Sequence, residues 1–104
     1  MKSTVTNLEG YCFFCGNYTS GEHHLIFGTS GRNFAEKYGL KVPICARCHT
    51  RSENLCDRIH DNSMAERLSK MLGQAIWERN RALEGMKQEE IRDRFIIERG
   101  ESYL

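Results

Sequence analysis

Between Cys45 and His60 the chain reads C-A-R-C-H-T-R-S-E-N-L-C-D-R-I-H, a Cys-x-x-Cys pair with one histidine directly behind it and another eleven residues on. Upstream lie a second pair, Cys12-Phe-Phe-Cys15, and the adjacent His23 and His24. Thiolates and neutral imidazoles are ligands for zinc and related divalent metals. Two residues between cysteines let one turn offer both sulfurs to a single ion, and two such turns complete a tetrahedron. Cys12, Cys15, Cys45 and Cys48 are therefore expected to hold a structural zinc. A redox role for one pair would leave the second pair unexplained. Four thiolates close the coordination shell, so this zinc holds the fold and performs no catalysis.

The histidines suggest a second site. His23 and His24 begin a short apolar run, H-H-L-I-F, suited to a strand, where neighbouring side chains point to opposite faces. One of them is then a ligand and the other has a different task. His49 follows Cys48 directly, so closing the cysteine site also aims His49. His60 meets His49 only if the chain turns back near Glu53-Asn54, because eleven residues of unbroken helix rise about 16 Å. If the helix continues, Glu53, one turn beyond His49, replaces His60 as ligand. His60 is the preferred expectation.

These side chains must be positioned by a small domain. The chain has 104 residues, 39% hydrophobic and 28% charged, with a net charge of +1. That is the balance of one soluble globular domain, small enough to gain from a metal staple. No apolar run is long enough to cross a membrane, and the first ten residues do not read as a secretory signal. Unpaired thiols without a signal fit the reducing cytoplasm. The fifth cysteine, Cys56, is expected to face the core. Basic residues exceed acidic ones by three over 32–58, the metal-bearing stretch, while 84–101 has a net excess of two acids.

Residues 1–10 read as a loose leader, 11–62 as a zinc-stapled core and 63–104 as a helical extension. A strand over His23–Phe27 is broken by Gly28-Thr-Ser-Gly31, and helix is expected over 33–38, ended by Gly39. Leu40, Val42 and Ile44 alternate as a second strand, bent or at an edge because of Pro43. Residues 46–53 begin a helix. Ser63 with Glu66 forms a capping box for a helix over 64–83, with Met64, Leu68, Met71, Leu72, Ala75 and Ile76 on its buried face and Trp77 nearby. A last helix, 87–99, puts Ile91, Phe95 and Ile96 on one stripe and closes at Gly100. The fold class is α+β.

With E-H-H-L-I-F at 22–27 and L-K-V-P-I-C-A-R-C-H at 40–49, bracketed by the pair at 12–15, the chain resembles the HNH (ββα-metal) nuclease family. More narrowly, with H-L-I-F-G at 24–28, K-Y-G-L at 37–40 and F-I-I-E-R-G-E-S-Y-L at the C-terminus, it resembles the small phage- and prophage-encoded HNH-like proteins with a four-cysteine zinc site. The resemblance implies an endonuclease that hydrolyses phosphodiester bonds in nucleic acid, with DNA favoured, in the cytoplasm of a bacterial host. It implies His24 as general base and His23, His49 and His60 as ligands of a catalytic ion, Mg²⁺, Mn²⁺, Ni²⁺ or Zn²⁺. Arg47 and Arg51 would then be phosphate contacts or ordinary surface charge. The chain departs from the family at Leu40, where an asparagine often steadies the base; Asn33 is the nearest upstream substitute. That departure, with the low net charge, supports an alternative: a catalytically weak or inactive HNH-like zinc protein that binds nucleic acid or a host protein, for example as a phage inhibitor of host defence. A third reading makes the C-terminal helices a homodimer surface. No membrane partner is expected.

Overall fold

A computed structural model describes all 104 residues. Its elements run β1 (Glu22–His24), α1 (Thr29–Tyr38), β2 (Lys41–Pro43), a π-helical turn (Arg47–Arg51), two short 3-10 turns (Leu55–Asp57 and Ile59–Asp61), α2 (Ser63–Leu83) and α3 (Gln88–Arg99). The architecture is a small two-stranded sheet among helices, compatible with α+β. No helix is long and apolar enough to cross a membrane.

The strands pair antiparallel with Glu22 opposite Pro43, His23 opposite Val42 and His24 opposite Lys41. Pro43 occupies the last pair, where a missing N–H costs the ladder least. The first strand is shorter than its apolar run. Leu25 lies past the end of the strand but still donates its N–H to Leu40 O at 2.9 Å, and both Leu25 and Ile26 are fully buried. The second strand is covered on both faces, with Leu40, Lys41, Val42 and Ile44 all buried, so its alternation does not mark one wet side.

Helix α1 starts at Thr29, four residues before its expected beginning. Gly28 supplies the entry, and Gly31 lies inside the first turn instead of breaking it. A Cβ at Gly31 would come within 3.1 Å of Ile26 Cγ2, so close packing outweighs the propensity cost of glycine. Gly39 ends the helix in the left-handed region at φ 68°, and a side chain there would also strike the Lys2 carbonyl. That contact belongs to a wider set. Thr4 N–H donates to Gly39 O at 2.8 Å, Thr4 Oγ1 to Tyr38 O at 2.9 Å and Ser3 Oγ to Lys41 O at 2.5 Å. The stretch expected as a loose leader thus lies along α1 and β2.

Two apolar clusters organise the interior. The larger joins Ile26, Phe34, Ala35, Leu40, Trp77, Ile91 and Phe95. The smaller joins Cys12, Ile44, Cys45 and Ile59 around the cysteines. Helix α2, about 31 Å long at 1.5 Å per residue, reaches both, with Trp77 in the first and Ala65 against the second. Its buried face differs from the apolar stripe read from sequence. Ser69, Gly73, Gln74 and Trp77 are buried, whereas Met64 and Leu68 are 69% and 56% exposed and Ala75 is exposed. The cause is Gly73: without a side chain it lets the helix backbone meet Leu25 and Ile26, turning the face that carries small and polar residues inward. The helix is capped by Asn62, whose side chain accepts from Ala65 N–H at 3.1 Å, and not by Ser63. On α3, Ile91 and Phe95 are buried while Ile96 is 40% exposed.

Candidate metal centres

The first cysteine pair sits on a tight turn. Cys12 N–H donates to Asn17 O at 2.7 Å, Gly16 N–H donates to Cys12 O at 2.9 Å, and Gly16 takes a φ of 81° that an L side chain resists. Phe13 N–H donates to Pro43 O at 2.9 Å and ties this turn to β2, directly before the second pair. Cys12, Cys15, Cys45 and Cys48 converge, their sulfurs all within 4.8 Å of one another, and Sγ of Cys15 lies 3.5 Å from Sγ of Cys45. A tetrahedral ion with bonds of about 2.3 Å spaces its sulfurs roughly 3.8 Å apart, so the cluster fits a metal such as zinc. Burial opposes ionisation of Cys12, yet backbone N–H groups of Cys45, Cys15 and Phe14 bring it down to about 6. Burial pushes the Cys48 thiol far up, and the neighbouring Cys45, Cys15 and Cys12 push it further. Four thiolates share this space only when a cation neutralises them. Cys56 stands apart, exposed rather than in the core.

Three histidines make a second cluster. The ligating nitrogens of His23, His49 and His60 lie within 4.8 Å of one another. Their ring centroids are 5.4 Å apart for His23 and His49, 5.1 Å for His23 and His60, and 4.6 Å for His49 and His60. His49 rides on the π-helical turn, fixed by its N–H to Cys45 O at 3.1 Å. The helix expected over 46–53 stops at Ser52, which is extended at ψ 143° and buried. Ser52 O accepts from Arg58 Nε at 2.5 Å, and the two 3-10 turns then carry His60 back to His49. Glu53 is exposed and outside the cluster. Burial, then the charges of His60, His49 and His24, lower His23 to about 3, so at neutral pH it is an uncharged lone-pair donor. Burial and His60 lower His49 as well.

His24 projects elsewhere. Its Nε2 is 2.8 Å from Glu36 Oε2, and Lys41 Nζ is 3.2 Å from both oxygens of the same carboxylate. Hydrogen bonds from His24 and then Lys41 bring Glu36 down to about 2. All four histidines, Glu36, Asn33 and Arg32 line one cleft of about 1060 Å³. Arg47 and Arg51 are exposed and do not line it; Arg32 is its one guanidinium. Leu40 is fully buried in the larger core and cannot reach the cleft.

Several residues of the site carried no signal of their own in the sequence. Glu36 and Arg32 lie on the solvent side of α1. Glu66 accepts from His60 Nδ1 at 3.1 Å instead of completing a capping box. Ser69 is 2.9 Å from His23 Nε2 and is 5% exposed. The one pattern that could have exposed Ser69 is its i, i+4, i+8 spacing with Gly73 and the core residue Trp77, a stripe beside the more apolar one.

No protein-family model, no curated protein and no solved structure matches this chain.

Proposed function

We propose that the chain is a metal-dependent endonuclease of the HNH type that hydrolyses phosphodiester bonds in nucleic acid, with DNA the favoured substrate. The observation that carries the reading is one cleft lined both by a three-imidazole cluster and by a separate histidine–carboxylate pair. In this reading the four cysteines would hold zinc as a structural site, and His23, His49 and His60 would hold a divalent ion. Such an ion would supply electrostatic stabilisation of the phosphate and of the leaving 3′ oxygen.

The chain's own groups do the rest. Glu36, an ionised carboxylate, accepts a hydrogen bond from His24 Nε2–H, so His24 Nδ1 keeps its lone pair and can take a proton from water as general base. The ion pair of Glu36 with Lys41 keeps that carboxylate charged and in place. Arg32 can meet a phosphate oxygen at the cleft wall. Glu36 takes over the steadying task for which Leu40, buried in the core, is unsuited.

A second reading is a binding protein that holds nucleic acid or a host protein in the same cleft without cutting. It is favoured by Leu40 and by the single guanidinium in the cleft. Nicking of supercoiled plasmid separates the two, with Mg²⁺, Mn²⁺, Ni²⁺, Zn²⁺ or EDTA added to wild type and to His24→Ala. The nuclease reading expects metal-dependent nicking that falls about 10²–10⁴-fold in the variant while the zinc content is unchanged. Wild-type rates from His24→Ala would overturn the assignment of the base. No nicking in any metal, from folded protein carrying zinc, would shift the conclusion to the binding role.

A further inference from the structure

We infer that α2 determines which nitrogen each of two clustered histidines presents to a bound ion, with Ser69 holding His23 so that it offers Nδ1 and Glu66 holding His60 so that it offers Nε2. Both are positioning residues, and the inference rests on the metal-site reading above.

Proton counting assigns the tautomers. Ser69 has one hydroxyl proton and donates it to Leu25 O at 2.7 Å. Its oxygen therefore faces His23 Nε2, 2.9 Å away, as an acceptor, and Nε2 must carry the imidazole proton. A neutral imidazole has only one N–H, so Nδ1 of His23 retains its lone pair. At His60 the partner is the Glu66 carboxylate, which only accepts; Nδ1, 3.1 Å from Oε2, is the donor and Nε2 is left for a metal. Two rings whose centroids are 5.1 Å apart are thus held in opposite tautomers by residues one turn apart on a single helix.

Ligating histidines depend on such partners, because a hydrogen bond to the distal N–H fixes ring orientation and raises ligand basicity. Ser69 is 5% exposed, so water cannot readily take its place, whereas the Glu66 side chain is 34% exposed and its loss is partly made good by solvent. The helix is placed for this task from both ends of the contact. Asn62 caps it beside His60, and Gly73 lets it approach Leu25, whose carbonyl receives the Ser69 proton. A helix that reads as a hydrophobic extension is, on this account, the outer half of the metal site.

The test uses the full chain with zinc retained at the cysteines. Long-range ¹H–¹⁵N spectra of the histidine rings at pH 8, without added ion, are expected to show His23 protonated at Nε2 and His60 at Nδ1; the opposite tautomer at either ring would overturn the inference. Calorimetric titration with Co²⁺ and Ni²⁺ then compares variants. Ser69→Ala is expected to bind about 10–100-fold more weakly and Glu66→Ala about tenfold more weakly. Glu66→Gln, whose amide oxygen still accepts, is expected to stay near wild type. Unchanged affinity in both alanine variants would overturn the inference while leaving the metal site standing. Wild type that binds neither ion would remove the site itself and this inference with it. If Ser69→Ala fails to retain zinc or to unfold cooperatively, the ring spectra and the Glu66 variants decide. None of these readouts requires nucleic acid, so they stand apart from the outcome of the nicking assay.

Discussion

Gly73→Ala sets two opposing effects against each other at the contact that seats α2 on the histidine-bearing segment. The new Cβ would lie 2.9 Å from Ile26 Cγ1, 3.2 Å from Ile26 Cδ1 and 3.2 Å from Leu25 Cβ. Carbon atoms pack best at about 3.5–4.0 Å, so all three contacts are too close. Leu25 and Ile26 are both fully buried, and the atoms met are Cβ and Cγ1 near the backbone, which move only with their whole side chains. Helix propensity favours alanine by about 1 kcal/mol, while overpacking a filled core costs about 1–3 kcal/mol. With three short contacts on two buried side chains, the larger part of that range applies. The net expectation is a loss of about 1–2 kcal/mol, at about 4–8 °C of Tm per kcal/mol for a domain near this size. Ala75, exposed on the same helix, isolates the propensity effect, and Ala75→Gly should cost about 1 kcal/mol. Urea unfolding of zinc-loaded protein, followed by far-UV circular dichroism, reads both as midpoint shifts at constant slope. Gly73→Ala as stable as wild type, or more so, would refute the close approach of α2 to Leu25 and Ile26 and with it the reason for the helix's rotated face.

Cys45→Ser removes one thiol of the four-cysteine cluster; on the proposed zinc reading, in which zinc contributes on the order of 10 kcal/mol as it does to small zinc-dependent folds, the variant should lose both bound zinc and cooperative unfolding. Cys56→Ser, at an exposed thiol, should stay within about 0.5 kcal/mol of wild type with its zinc intact; zinc analysis and circular dichroism check both. Asn62→Ala should cost about 1 kcal/mol as a lost N-cap, whereas Ser63→Ala should be near neutral, and comparable urea midpoints for the two would contradict the cap. The hydrogen bonds from Arg92 hold Glu78 below its ordinary value of 4.5. The unfolded chain therefore binds that proton first as pH falls, so the stability contributed by Glu78 is complete above pH 4.5 and declines below it. The stability gap between wild type and Glu78→Gln should be level from pH 8 to pH 5 and narrow below 4.5, and a gap that widens in acid would reverse the sign.

The cysteine cluster was legible from sequence because its rule is local: two residues between thiols define a turn, and two turns complete one shell. The helices over 63–83 and 88–99 were legible in the same way, from periodicity and from glycines at their ends. The meeting of His60 with His49 was not of this kind. It depends on the chain stopping its helix at Ser52, a buried residue held by Arg58 across the turn, and no residue type between 49 and 53 announces that stop. Glu36 was unreadable as a partner of His24 because it lies twelve positions on, inside α1, and only the pairing of β1 with β2 brings that helix over the histidine. The buried face of α2 was misassigned because periodicity weighs hydrophobicity. At Gly73 the deciding quantity is space, and close backbone approach selected the stripe of Ser69, Gly73 and Trp77 over the more apolar one beside it. Sequence alone thus determined which side chains could ligate a metal and the turn that pairs the cysteines, since both follow from residue type and spacing. Which nitrogens and carboxylates face one another was decided by packing between segments far apart in the chain, where steric fit outweighs local preference.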